Sequence, residues 1–169
     1  MNTTLVNPGS QKLDQRAGKY LTFGLGNEEF AIQVMRVREI MGIQEITAAP
    51  ETPGYVKGVL HLRGKVVPVV DLRLKFELRE HEYTERTCII VVQIESRQGK
   101  LLMGIIVDGV SEVLTLCAND IEDTPDFSPG ARTPYILGTA KIKNKVKLLL
   151  DINMVFTAQE VERFADATG

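Results

Sequence analysis

The sequence predicts a mainly β protein: two small barrels of about five short strands each, made by an internal duplication and sharing one core. Three observations carry this. The stretch Tyr55–Phe76, YVKGVLHLRGKVVPVVDLRLKF, returns 80 residues later as YILGTAKIKNKVKLLLDINMVF. Tyr55, Gly58, Lys65, Val66, Asp71 and Phe76 fall on Tyr135, Gly138, Lys145, Val146, Asp151 and Phe156. Short apolar runs punctuated by Gly, Asn and Asp turns fill most of the chain. A single copy of about 60 to 70 residues is marginal alone, so the two copies are expected to share a core and leave a groove between them.

Taken in order, residues 1–18 are polar, with Asn7-Pro8-Gly9-Ser10 as breakers, and read as a disordered tail. A single domain is expected over 19–166, with repeat units about 20–76 and 87–156. Tyr20–Leu25 and Glu29–Val34 read as a hairpin around Gly26-Asn27-Glu28. Met35–Met41 mixes alternation with helix formers, so one helical turn leading into a strand is expected.

Tyr55-Val56-Lys57 reads as a helical turn ended by Gly58. Val59–Leu62 and Lys65–Val70 follow as strands joined at Arg63-Gly64, where the second copy has Lys143-Asn144. Gly and Asn tolerate positive φ, so both copies offer a hairpin turn. Pro68 cannot donate to a ladder and places its strand at an edge or a bend. Asp71 and Asp151 can each cap a short helical turn.

Residues 77–86 are a charged linker, and Thr87–Ile94 is an apolar strand buried on both faces. Leu101–Val107 is another strand, followed by a turn at Asp108-Gly109. The repeat extends to earlier positions at a shift of 73: Ile32, Val34, Val37, Glu39 and Ile40 match Ile105, Val107, Val110, Glu112 and Val113. The shift changes because the second copy has a longer loop within Asn119–Pro134. Thr157 with Glu160 forms a capping-box pattern, and Ala158, Val161, Phe164 and Ala165 give an apolar stripe for a C-terminal docking helix.

Composition excludes several functions. The net charge is −2, with no basic excess for a phosphate backbone. Ten aromatics, six Phe and four Tyr with no Trp, supply base stacking poorly. His61 reads as a solvated strand residue and His81 as exposed in the linker. No CxxC, HxxxH, P-loop, GxGxxG or GxSxG pattern is complete, so neither metal, cofactor nor catalytic centre is expected. Asp120, Glu122, Asp123 and Asp126 lack EF-hand spacing and read as a solvated loop. Cys88 and Cys117 follow or lie in apolar runs and read as buried free thiols. The N-terminus has no apolar segment of signal-peptide type, and a longest apolar run of about seven residues is far below the ~20 of a membrane span. A cytoplasmic binding module follows, using either a groove between barrels or an exposed strand edge. Lys141, Lys143, Lys145 and Lys147 read as alternating along one strand and keep a nucleic-acid-binding barrel open as the alternative.

At HLRGKVVPVVDLRLKF the chain resembles the CheW family of bacterial chemotaxis coupling proteins. YLTFGLGNEEFAIQVMRVREI, GIIVDGVSEVL and GTAKIKNKVKLLLDI are similar to that family's signatures in the same order, over about residues 19–165. The match is to a free-standing coupling protein rather than to the kinase's similar regulatory domain or a receiver-linked variant. The resemblance implies two intertwined SH3-like five-stranded barrels and no catalysis. It implies two partners: the cytoplasmic tip of a methyl-accepting chemotaxis receptor, bound in the groove, and the regulatory domain of a CheA-type histidine kinase, bound barrel end to barrel end. Localisation would be cytoplasmic, with recruitment to receptor arrays at the inner membrane.

In family terms Val37 and Glu39 fall at receptor-groove positions, with Gly58, Arg63, Gly104 and Val113 nearby, and Thr87 matches a functional position. Cys88 stands where an aliphatic residue is usual, and His61 where Asn usually precedes Leu-Arg-Gly. The residues also have plain readings. Val37, matched by Val110, is either core or contact; Gly58 and Gly138 serve backbone geometry. Arg63 is either a solvated turn residue or pairs with Glu39 across the groove.

Overall fold

The computed structural model describes residues 15–79, 82–123 and 135–168. The chain opens with a hairpin, β1 (Gly18–Leu25) and β2 (Glu28–Gln33), and a 3-10 turn at Val34–Arg36 leads into β3 (Val37–Gly42). That is the turn-then-strand expected over Met35–Met41. Next come β4 (Val56–Leu62), β5 (Lys65–Asp71) and the one-turn helix α1 (Leu72–Lys75). The second copy supplies β6 (Cys88–Ser96), β7 (Gly99–Val107) and β8 (Gly109–Leu116). It continues with β9 (Ile121–Glu122), β10 (Ile136–Ile142), β11 (Lys145–Leu150) and a 3-10 turn at Ile152–Met154. Helix α2 (Ala158–Thr168) closes the chain.

The strands form two sheets, ordered β8-β1-β2-β11-β10-β9 and β3-β6-β7-β5-β4. Each copy therefore gives its opening hairpin to the other copy's sheet. β1 and β2 join β8 to β11, while β6 and β7 join β3 to β5. Two parallel seams result, β2 on β11 and β5 on β7. Parallel neighbours need long connections, and here the exchange provides them. The intertwined barrels implied by the family resemblance are this exchange.

Period-2 alternation divides the side chains between three cores. In β6, Cys88, Ile90, Val92 and Ile94 face a core shared by both sheets, whereas Ile89 and Val91 face a smaller one inside the second sheet. In the first sheet, Leu21, Phe23 and Leu25 face the shared core, and Tyr20 a small inner one. A row of rings links the two copies: Phe23 to Phe30 at 6.1 Å, Phe30 to Phe76 at 5.7 Å and Phe76 to Tyr135 at 5.1 Å.

The two hairpin turns match in detail. Arg63 and Gly64 have φ of 50° and 78°, Lys143 and Asn144 of 51° and 65°. Positive φ at both central residues is the turn type that suits strand twist. Asp71 accepts from the Arg73 amide and Asp151 from the Asn153 amide, so both caps form as the sequence indicates. The capping box of α2 is present: the Thr157 amide donates to Glu160, and the Glu160 amide to the Thr157 hydroxyl.

Several expectations change. Tyr55–Lys57 is not a helical turn: β4 already begins at Val56, because the Asp71 amide donates to the Tyr55 carbonyl and extends the pairing. Tyr135 accepts from Asp151 in the same way. Pro68 lies in an inner strand. Val59, opposite it, exchanges both backbone bonds with Thr47, so the side of Pro68 without an N–H faces away from β4. The parallel pairing to β7 runs from Val69 to Asp71 and asks no donor of Pro68.

Cys88 is buried but Cys117 is exposed, since it follows the last residue of β8 that points inward. Ala158 is exposed, and the helix stripe is Val161, Phe164 and Ala165. Arg16, read as tail, is only 3% exposed and donates to the Leu137 carbonyl at 2.6 Å and to Asp123 at 3.0 Å. Residues 1–14, His81 and most of the long second-copy loop, Asp126 included, lie outside the described residues.

Candidate functional site

β3 and β4 are the two outer strands of the second sheet, yet Arg63, in the turn after β4, reaches Glu39 on β3. The Arg63 Nη2 lies 3.2 Å from the Glu39 Oε1. Such a contact requires the sheet to curl until its edges meet. Arg63 is left-handed at φ 50°, as Lys143 is at 51°, so the contact depends on the residue carried by the turn as well as on its backbone. The Arg63 side chain is 77% exposed, that of Glu39 28%. The pair is therefore solvated and contributes only about 0–1 kcal/mol to stability; the exposed Ile40, next along β3, points to the other face of the strand.

Val37 begins the same strand, half-buried against the shared core, as does its counterpart Val110. Its packing is the plain core reading. Gly58 lies in a bulge of β4 at φ 140°, and a Cβ there would sit 2.0 Å from the Thr47 carbonyl oxygen. It holds the preceding segment against the strand, as Gly138 does against the Glu122 carbonyl at 2.6 Å.

Thr87, Cys88 and Gly104 are interior. The Thr87 hydroxyl accepts from the Thr84 amide at 2.8 Å and shapes the entry to β6. Cys88 faces the shared core, and burial pushes its thiol up. A Cβ at Gly104 would meet Ile89 Cγ2 at 2.9 Å. Val113 is 55% exposed, on β8 at the outer edge of the first sheet. Of the eight positions, then, the structure brings Glu39 and Arg63 into contact, places Val37 on the same strand, and puts Val113 on the other sheet.

Of the four outer strands, β3, β4 and β8 carry a bulge and β9 has only two residues. β3 slips register between Val37 and Glu39, and β8 slips against β1 between Leu21 and Phe23. Thr22 repairs the second slip: its hydroxyl bonds both the amide and the carbonyl of Glu112. Bulges of this kind blunt strand edges against pairing with other chains.

The lysines do not form a stripe. Lys141 lies on β10, Lys143 in the turn, and Lys145 and Lys147 on β11. Lys147 is buried against Glu29 across the parallel seam, and burial lowers its pKa. The alternation expected along one strand is split by the hairpin and loses its last member to the interior.

A model of the CheW-like domain matches residues 19–160. The chain belongs to the CheW family. It is 38% identical over 143 residues to "Chemotaxis protein CheW" of Klebsiella aerogenes, covering 85% of this chain and 84% of that one. It is 37% identical over 142 residues to the protein of the same name from Rhizobium meliloti, covering 84% and 89%. Among solved structures, the scaffolding protein TtCheW from Thermoanaerobacter tengcongensis superposes with a TM-score of 0.72 at 31% identity, covering 83% of this chain and 92% of that one.

Within this CheW fold, sequence reasoning overlooked Arg73. It is fully buried and forks onto Asp71, Nε to Oδ1 at 3.0 Å and Nη2 to Oδ2 at 2.9 Å. Its third nitrogen, Nη1, donates to Asp108 Oδ1 at 3.1 Å. The carboxylates raise the pKa of the guanidinium further. A signal was available. The copies differ at DLR against DIN as plainly as at HLRG against KIKN, and an arginine in an otherwise apolar strand-to-helix junction needs a buried partner. No helix among the described residues is long and apolar enough to cross a membrane.

Proposed function

We propose that this chain is a non-catalytic chemotaxis adaptor. It couples the cytoplasmic tip of methyl-accepting receptors to the regulatory domain of a CheA-type histidine kinase. It works in the cytoplasm and reaches receptor arrays at the inner membrane through these partners. The observation that carries the reading is the Glu39–Arg63 pair: an exposed rim feature that barely stabilises the fold, with Glu39 at a position that the family resemblance assigns to the receptor groove and Arg63 near it. Membership of a family whose relatives are named chemotaxis and scaffolding proteins supports the same conclusion.

The site residues divide by role. Glu39, Arg63 and Val113 are contacts, and Val37 sets the strand that carries Glu39. Gly58, Thr87, Cys88 and Gly104 act through the backbone and packing they maintain. The test is co-sedimentation with receptor-containing membranes and kinase. The chain should pellet with receptor membranes and raise the kinase recovered with them. Recovery equal to that with receptor-free membranes would refute the reading.

A further inference from the structure

The chain crosses between the two sheets twice, from β2 to β3 through Val34–Arg36 and from β7 to β8 at Asp108. The duplication makes these crossovers equivalent, since Met35 matches Asp108 at the shift of 73. They are held in different ways.

At Asp108 three elements meet. Its Oδ1 accepts from Arg73 at the start of α1, and its Oδ2 accepts from the Gly26 amide in the β1–β2 turn at 2.7 Å. Its own amide donates to the Gly24 carbonyl at 3.0 Å. Arg73 is anchored by its fork on Asp71, and the Tyr83 ring stands 5.4 Å from the guanidinium carbon. At the other crossover the 3-10 turn has no buried residue, and Met35 is exposed. Arg36 lies 3.6 Å from Glu95, and Arg38 donates to the Met35 carbonyl at 2.9 Å, both at the surface. The second copy has Asn153 in place of Arg73, so it cannot build the same clamp.

An apolar core tolerates small slides because side chains repack. A forked ion pair with fixed donors does not, and a buried one is a device for register more than for stability. We propose that Arg73 is a positioning residue for partner binding: buried away from any partner, it fixes through Asp108 the crossover that sets β8, with its exposed Val113, against the second sheet and its Glu39–Arg63 rim. This rests on the reading of the chain as an adaptor whose partners meet both sheets. It adds a residue that acts at a distance from the contacts.

Arg73→Lys keeps the charge and loses the fork. Hydrogen exchange on the full-length chain should show the amides of Gly26 and Gly109–Leu116 exchanging at least tenfold faster, with Val37–Gly42 unchanged. Affinity for a receptor-tip fragment or the kinase regulatory domain should fall at least tenfold, although no contact residue has changed. Should Arg73→Lys fail to fold, Asp108→Asn leaves the neutral Asp71–Arg73 pair in place and should give the same pattern at smaller amplitude. Exchange rising evenly along the chain, or not at all, would overturn the positioning role. Local loosening of β8 with unchanged affinity would overturn its link to binding. Failure of the wild-type chain to bind either partner would refute the adaptor reading, while the exchange pattern still judges the positioning.

Discussion

In the second sheet the turn Arg63–Gly64 delivers a guanidinium to Glu39; in the first, Lys143–Asn144 has the same left-handed backbone, and no ion pair joins Lys143 to Glu112. Inside the barrels the asymmetry runs the other way. Val67 and Leu102 of the second sheet are matched in the first by Lys147 and Glu29, an ion pair buried at the parallel seam. The duplicated parts that agree, namely turns, caps and bulged glycines, build the barrel. The parts that differ place charge, on the rim in one barrel and in the interior of the other.

The largest expected effect lies at the capped turns. Arg73→Met removes one partner of a buried ion cluster and should cost about 3–5 kcal/mol in urea denaturation. Asn153→Met, which loses a surface bond to the Glu95 amide, should cost about 1 kcal/mol. Equal costs would erase the distinction between the copies.

Transplanting the second sheet's apolar pair into the first should act in the opposite direction. Glu29→Leu with Lys147→Val should be neutral or stabilising by up to about 1–4 kcal/mol. The pH dependence gives a second handle. Burial holds the Lys147 ammonium below its ordinary 10.5, so the folded chain binds that proton less tightly than the unfolded one. Stability attributable to this group therefore rises as pH climbs towards 10.5, and that rise should vanish in the double variant. A thermal melt series across pH 8–10.5 checks both.

The bulged glycines should separate by backbone strain. Alanine at Gly58 meets both the Thr47 carbonyl and a φ of 140°, and the strained backbone alone adds about 1–3 kcal/mol. Gly138→Ala meets a carbonyl at 2.6 Å and should cost less. A larger loss at Gly138 would contradict the geometry.

The thiols give the smallest structural readout. Cys117 should alkylate promptly at pH 8, and Cys88 only as the chain unfolds, since burial disfavours its thiolate.

Much of this fold was legible in the sequence because local rules decided it. Turn residues, Asp caps, the α2 capping box and the apolar alternation all depend on neighbours within a few positions, and the shifts of 80 and 73 tied them into two copies. What the sequence left hidden depends on partners far along the chain. Nothing in the repeat states that β1 and β2 join the other copy's strands, because matched pieces look the same whichever sheet they enter. Val56 and Lys57 became strand through a bond from Asp71 to Tyr55. Lys147 looked like a surface lysine until the parallel seam set it beside Glu29. Arg16 looked like tail until the Leu137 carbonyl claimed it. The Glu39–Arg63 contact was anticipated as one of two readings, on resemblance to the family and not on spacing.

The most direct test compares Arg63→Ala with Lys143→Ala in binding a receptor-tip fragment by calorimetry, with the melting temperature of each variant measured alongside. Both substitutions should leave stability within about 1 kcal/mol. Arg63→Ala should weaken binding at least tenfold, and Lys143→Ala should leave it unchanged. Equal affinities for the two variants, or a weakening by Arg63→Ala that merely follows a large fall in melting temperature, would contradict the account.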